Sequence, residues 1–169
     1  KIIPAQDFFY IQVDVIDSYS PYTLHNELWR SDGTAAGTFL LKKFDATISY
    51  PLNLGSDITE YRNNSISGNE MFFAGFTAAN GYELWKSDGT VSGTVMVKDM
   101  TAGAGNTPMD GFTRLGSNVY FFTGLGQLWR TNGTDAGTVN IPLPAGLTVY
   151  VYNTMVAYNG KLIFIGYDA

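Results

Sequence analysis

One pattern occurs three times along the chain and limits what it can fold into. Each copy is followed two residues later by a Gly-Thr pair, and the three tryptophans of the chain all lie in the copies, 56 and 44 residues apart. Self-similarity at this spacing is typical of propeller blades and solenoid repeats. The copies are Glu27-Leu28-Trp29-Arg30-Ser31-Asp32-Gly33-Thr34, Glu83-Leu84-Trp85-Lys86-Ser87-Asp88-Gly89-Thr90 and Gln127-Leu128-Trp129-Arg130-Thr131-Asn132-Gly133-Thr134.

Each copy predicts a β-hairpin loop. The side chains of Asp32, Asp88 and Asn132 can bond the backbone two residues on, and the following glycine can adopt a positive φ without strain. A second glycine, at Gly37, Gly93 and Gly137, predicts a bulge or a further tight bend before the returning strand. One carboxylate per loop is too few for calcium, so we predict a structural role and no metal site.

An almost wholly apolar segment precedes each tryptophan, and a fourth such segment lies near the end of the sequence. Continuous hydrophobicity in a short strand predicts burial on both faces. Further strands, such as Phe112 to Leu115 and Met155 to Tyr158, complete units of four strands, named a to d in chain order. The apolar segments, each a strand b, are Phe8 to Ile11, Met71 to Ala74, Val119 to Phe122 and Leu162 to Ile165.

The predicted fold class is all-β, with consecutive four-stranded antiparallel blades of a partial β-propeller of about three to four blades. The chain reads as one repeat domain, 1–169, with units at 7–45, 58–100 and 112–143 and an incomplete unit at 153–169. The first unit is expected to begin at strand b. We expect other blades of a longer chain, or a partner subunit, to cover the outer apolar faces. An open solenoid or stacked-sheet array is the alternative.

Charge and composition exclude several partners. The net charge is -5 with scattered basic residues, which opposes binding to nucleic acid. There are no cysteines for disulfides or thiolate sites, and no apolar run approaches the length of a membrane helix. Any targeting segment is expected to have been removed or to lie outside this sequence.

The repeat, with an exit such as Val97-Lys98-Asp99, resembles the ELWxSDGTxxGT repeats of large secreted bacterial proteins. These proteins are common in Bacteroidota and also occur in cyanobacteria and myxobacteria. The resemblance implies export to the medium or the outer cell surface, often by type IX secretion, and roles in adhesion or surface assembly. Gln127, Asn132 and the exit Asn140-Ile141-Pro142 depart from the pattern.

Catalytic residues are not evident. His25, the one histidine, is predicted in a loop at the surface or in a turn, without the Gly-x-Ser-x-Gly elbow of a hydrolase, and one histidine cannot supply a usual zinc site. We therefore predict no catalytic residues, no cofactor and no metal.

A sialidase-like or other glycosidase is the alternative function, although its Asp-box places Trp after the loop. Few arginines are available to bind the carboxylate of a substrate. Arg30 and Arg130 occupy one repeat position, which is Lys86 in the second copy, and this indicates a role in the scaffold. Its carboxylates would come from Asp14, Asp17, Asp57, Glu60 and Asp110, whose spacing selects no pair.

The b-to-c connections vary between units and are predicted at 14–26, 76–81 and 124–126. In a propeller they emerge on the same face as the d-to-a connections, and loops usually carry binding sites. Four tyrosines there suit a glycan or a protein partner, although packing between blades would also explain each of them. The sequence thus predicts a non-catalytic binding module, with an architectural spacer as a further alternative. The four tyrosines are Tyr19, Tyr22, Tyr50 and Tyr150.

Overall fold

The computed structural model describes residues 1–45, 52–53, 64–124, 126–149 and 155–168, and those ranges hold strands and turns without a helix. No helix able to span a membrane occurs in them. The strands are β1 Ile2–Pro4, β2 Phe9–Tyr19, β3 Tyr22–Ser31, β4 Phe39–Lys43, β5 Leu52–Asn53, β6 Asn64–Ser67, β7 Glu70–Thr77, β8 Gly81–Ser87, β9 Val95–Lys98, β10 Met109–Leu115, β11 Asn118–Thr123, β12 Leu128–Thr131, β13 Val139–Ile141, β14 Leu147–Thr148, β15 Val156–Tyr158, β16 Lys161–Ile163 and β17 Tyr167–Asp168.

The strands form antiparallel sheets in chain order, which confirms the predicted all-β fold with four-stranded sheets. The first sheet has the order β1-β2-β3-β4 and the third β10-β11-β12-β13. In the second sheet β5 and β6 both pair with one edge of β7, and β8 and β9 follow on the other side. The fourth unit contains the pairs β15-β16 and β14-β17.

The expectation that the first unit begins at strand b is wrong. Strand β1 pairs with β2 through Ile2 opposite Ile11 and Pro4 opposite Phe9, so this sheet has its own strand a. The strand was missed because three residues ending in proline give no periodicity, and proline is tolerated at a sheet edge.

Alternate side chains of β7 and of β11 enter different cores, because successive residues of a strand point to opposite faces. In β7, Met71 and Phe73 pack with Tyr10 and other residues of the first sheet, whereas Phe72 and Ala74 pack with the third sheet. In β11, Phe121 joins the second sheet, and Phe122 packs with Met155 of the fourth unit. The predicted burial on both faces is therefore confirmed for β7 and β11, and the sheets stack in chain order. It is wrong for the first and last apolar segments, where Phe9, Ile163 and Ile165 are exposed because no sheet packs on that face within the described residues.

Polar contacts reinforce the junction between the first two sheets. The buried Tyr10 hydroxyl lies 2.7 Å from the Asn69 carbonyl oxygen and 3.0 Å from that of Ser87, and burial raises the pKa of Tyr10 to about 12. Arg30 donates to the Gly89 carbonyl and stacks on Phe8, 4.3 Å from the ring centroid. The c-to-d loop of the second sheet is thereby held on the first.

The three c-to-d loops share one hydrogen-bond network, and the predicted bond two residues on is present. In the first loop Asp32 Oδ1 accepts from the Thr34 backbone N–H at 2.9 Å and from the Thr34 hydroxyl at 2.7 Å. The Thr38 hydroxyl donates its one proton to the Thr34 carbonyl. In the hydrogen bond between the Ser31 and Thr38 hydroxyls, Ser31 is therefore the donor. The same bonds recur around Asp88 and Asn132. Gly33, Gly89 and Gly133 have positive φ, as predicted.

The second glycine of each loop lies in the further tight bend that the sequence predicts, since the Thr94 N–H donates to the Val91 carbonyl and the Thr138 N–H donates to the Asp135 carbonyl around it. Its φ is not positive, but a Cβ atom at Gly93 would lie 2.1 Å from Asp88 Oδ1, and Gly37 and Gly137 have the same conflict with Asp32 and Asn132. Glycine is required because the carboxylate or amide occupies the space that a side chain would need.

Replacing Gly93 by alanine is expected to destabilise the chain by about 1–3 kcal/mol, because the new Cβ must displace Asp88 from its bonds to Thr90. Denaturant unfolding followed by circular dichroism measures the change. Asp88→Asn is the matched control, since Asn132 makes the equivalent bonds in the third sheet, and it should be nearly neutral. Equal losses in the two variants would contradict the steric explanation.

Candidate functional site

The b-to-c turns and the d-to-a connectors meet at one end of the sheets, which we call the b–c end. The Asp45 carboxylate, after β4, accepts from the Ala78 backbone N–H at 2.8 Å, and the Pro108 carbonyl, before β10, accepts from the Gly124 N–H at 2.9 Å. Variable segments therefore lie beside one another at this end, each supported by regular strands.

The predicted b-to-c loop at 14–26 is wrong, because these residues form a long hairpin. Pairing of β2 with β3 continues to Tyr19 opposite Tyr22 across the turn Ser20-Pro21, whose peptide bond is cis. Polar residues such as Asp14 and Asp17 suggested a loop, whereas cross-strand pairing and the β-branched residues between them keep the segment extended. Tyr19, 81% exposed, and Tyr22, 47% exposed, lie at the tip. Tyr50 and Tyr150 fall outside the described residues.

His25 is a buried residue of β3, and the predicted surface or turn location is wrong. Its Nδ1 lies 2.7 Å from Asp17 Oδ1, and its Nε2 lies 3.5 Å from Glu27 Oε1. Glu27 also accepts from Trp29 Nε1 at 2.8 Å. Within the described residues Nε2 has no hydrogen-bond partner, so no hydroxyl is placed there for a Ser-His-Asp arrangement.

The carboxylates considered for glycoside hydrolysis are not brought together by the described structure. Asp14 and Asp17 lie on β2 of the first sheet, and Asp110 is buried on β10 of the third. Burial raises the pKa of Asp110, against a hydrogen bond from the Gly111 N–H. Asp57 and Glu60 fall outside the described residues. Within the described chain no group of three or more His, Cys, Asp or Glu residues could hold a metal ion.

Glu83 holds the connector between the second and third sheets, residues 99–108, by hydrogen bonds. Its fully buried carboxylate accepts from the Met100 N–H at 2.6 Å, the Thr107 hydroxyl at 3.1 Å and the Thr101 N–H at 3.3 Å. Burial raises the pKa of Glu83 to about 7, although these hydrogen bonds oppose the shift. The carboxyl group is thus used to hold the connector. The sequence offered one signal for it, an acidic residue directly before the apolar Leu84-Trp85.

A cleft of about 330 Å³ lies between this connector and the b-to-c turn of the third sheet. Its size is at the lower end of the range for small-molecule sites. None of the lining residues is charged, and hydroxyl and amide side chains alternate with an indole. The lining residues are Met100, Thr101, Asn106, Thr107, Pro108, Thr123, Gly124, Gln127 and Trp129.

Comparison of two junctions explains why the cleft is open. Between the first and second sheets the equivalent space is filled by Phe44, which is fully buried, lies 5.3 Å from the Trp85 ring and would lie 2.6 Å from a Cβ on Gly75. The strand registers place Met100 where Phe44 stands and Thr123 where Gly75 stands. The narrower methionine leaves the space open, and the threonine adds a hydroxyl. Sequence reasoning missed the cleft because it depends on both sheets.

The ionisation of Glu83 predicts how stability depends on pH. Its native pKa, about 7, exceeds the ordinary value of 4.5, so the native state holds an extra proton between these values. Stability should fall as the pH rises from about 4.5 to about 7, by a total of about 3 kcal/mol from this group.

Urea unfolding at several pH values, compared between the parent chain and Glu83→Gln, tests this expectation. The variant should gain stability relative to the parent as the pH rises through that window. Asp135→Asn, which removes an exposed carboxylate bonded to Lys98, is the control and should keep the parent's slope. A Glu83→Gln profile parallel to that of the parent would refute the assignment.

Comparisons with known proteins add no relative. A scan against protein-family models, a search of curated proteins and a search of solved structures each find no match to this chain. The resemblance to ELWxSDGTxxGT repeats therefore stays a prediction from the motif.

Proposed function

We propose that this chain forms consecutive blades of a β-propeller in a secreted or cell-surface bacterial protein, and that it is a non-catalytic module that binds a neutral glycan at its b–c end. Adhesion or surface assembly is the biological role that this activity would serve. The blade assignment is supported by sheets that stack in chain order with one repeating pattern of buried faces. Secretion and the bacterial source are inferred from the motif resemblance.

The uncharged lining of the cleft is the observation that carries the proposed ligand. Sugars present hydroxyl groups on their edges and apolar C–H groups on their faces. The hydroxyl and amide groups of Thr101, Asn106 and Gln127 suit the first, and the indole of Trp129 suits the second. A charged ligand would find no countercharge among the lining residues.

The proposal that the module is not catalytic is supported by the hydrogen bonds that its buried ionisable groups already make. Glu83 is fully buried and bonded to the connector, and His25 is bonded to Asp17. Neither group lines the cleft. Binding without bond cleavage is therefore the proposed activity.

A panel of immobilised neutral and sialylated oligosaccharides, followed by calorimetry with the best neutral ligand, tests the proposal. Gln127→Ala removes an exposed amide of the lining and should weaken binding about fivefold, the equivalent of about 1 kcal/mol. Met100→Phe should fill the cleft, as Phe44 fills the first junction, and should abolish binding in a folded chain.

Tyr19→Ala is the matched control, because Tyr19 is exposed at the same end without lining the cleft. Its affinity for the glycan should equal that of the parent. Loss of binding in Tyr19→Ala with retention in Met100→Phe would move the site to the hairpin tip and favour a protein partner. Release of sugar from the panel would contradict the non-catalytic assignment, and no binding to any neutral glycan would refute the proposed ligand.

A further inference from the structure

The chain contains three Asn-Gly pairs, a dipeptide that is prone to lose ammonia from its asparagine side chain. The backbone nitrogen of the glycine can attack Cγ of the asparagine, because glycine has no Cβ to hinder the approach. The sequence makes the three pairs equivalent, whereas the structure gives them different environments. The pairs are Asn80-Gly81, Asn132-Gly133 and Asn159-Gly160.

The pair in the c-to-d loop of the third sheet is held by hydrogen bonds at both reacting groups. The Gly133 N–H donates to the Thr131 hydroxyl at 3.0 Å, and Gly133 is buried. Asn132 Oδ1 accepts from the Thr134 N–H at 3.1 Å and from the Thr134 hydroxyl at 2.7 Å. Removal of the Gly133 proton and rotation of the Asn132 side chain therefore both need the loop to open.

The pair in the b-to-c turn of the second sheet is held by the connector that follows β9. Asn80 Nδ2 donates to Asp99 Oδ2 at 3.1 Å, and Asn80 Oδ1 accepts from the Thr77 hydroxyl at 3.3 Å. Gly81 is buried, and a Cβ atom there would clash with the Gly105 carbonyl oxygen. The connector thus restricts the movement of Gly81 that ring closure requires.

The pair in the fourth unit has none of these restraints. Asn159 and Gly160 form the two-residue turn between β15 and β16, and both are exposed. Within the described residues neither the Asn159 side chain nor the Gly160 N–H forms a hydrogen bond, and the Cβ position of Gly160 faces open space. The two flanking strands have three residues each, so local opening of the turn costs little free energy.

The exposure of this turn is a property of the repeat. Gly116-Ser117 is the equivalent turn of the third sheet, and both residues are exposed although this sheet packs between the second sheet and the fourth unit. Gly68 begins the equivalent turn of the second sheet and is exposed as well. Sheets packed on either side therefore leave the turn accessible. All three turns begin at a positive φ, and in the fourth unit the residue there is Asn159, with a φ of 48°.

We propose that Asn159-Gly160 is a site of spontaneous modification, at which Asn159 is converted to aspartate and isoaspartate through a cyclic imide. A base removes the Gly160 N–H proton, and the nitrogen forms a bond to Asn159 Cγ. The Cγ–Nδ2 bond breaks, and the nitrogen leaves as ammonia after taking a proton from water. Water then adds to either carbonyl of the imide, which opens the ring to aspartate or isoaspartate. The sequence of steps is neither an oxidation nor a reduction.

The isoaspartate product would alter the hairpin, because it adds a methylene group to the main chain of a two-residue turn. The pairing of Tyr158 with Lys161, directly beside the turn, depends on that turn's length. Aspartate at the same position would keep the main chain unchanged. The site lies outside the glycan cleft, so this proposal does not depend on the proposed function.

Incubation of the folded chain at mildly alkaline pH, with samples taken over time, tests the proposal. Pepsin digestion in acid limits deamidation during handling, and fragmentation by electron transfer distinguishes aspartate from isoaspartate at each asparagine. Asn159 should be modified at least about tenfold faster than Asn80 and Asn132, because the latter two react only after local opening. In guanidinium chloride, where the fold is lost, the three rates should become similar.

Asn159→Gly is the matched variant, because glycine begins the equivalent turn in the second and third sheets. It should keep the circular dichroism spectrum of the parent and lose the isoaspartate that an isoaspartate-specific methyltransferase detects in the aged parent. Modification of Asn80 or Asn132 as fast as that of Asn159 in the folded chain would overturn the proposal. An Asn159 that stays intact in the folded chain would also overturn it.

Discussion

The alternation of side chains along each strand b is the constraint on which the rest of the structure depends. Met71 and Phe73 contribute to one core while Phe72 and Ala74 contribute to the next, so a four-residue apolar segment serves two interfaces. A shift of the register by one residue would exchange both sets at once. The same division of side chains between two cores continues through the third sheet into the fourth unit, so the junctions between sheets are built in the same way.

The loop network and the sheet interfaces are linked through the same residues. Asp88 fixes the conformation of its loop, which presents the Gly89 carbonyl to Arg30 and the Ser87 carbonyl to Tyr10 of the preceding sheet. A loop shaped by local hydrogen bonds therefore supplies two carbonyl acceptors for contacts between residues far apart in sequence.

The features that depend on residues close together in the repeat were predicted correctly from the sequence. The hairpin loops around Asp32, Asp88 and Asn132, the positive φ of the following glycine and the antiparallel sheets all follow from motif and hydrophobic pattern. It failed at β1 and at the β2-β3 hairpin, where pairing with a neighbouring strand outweighs a proline or a polar composition. It also missed the partners of Glu83 and the reason for Gly93, because each depends on an atom brought close by the fold. The cleft at Trp129 involves two sheets, and no single repeat contains it.

Variation at equivalent positions of a repeat can create a site without altering the scaffold. Phe44 and Met100 occupy the same register after strand d, and each precedes the connector to the next sheet. The larger ring closes the first junction against Gly75, whereas methionine and Thr123 leave an uncharged space at the second. Glu83 holds the wall of that space through three hydrogen bonds, and Gln127, its equivalent in the third sheet, lines the opposite wall. One repeat position thus serves as a structural anchor in one sheet and as a surface of the cleft in the next.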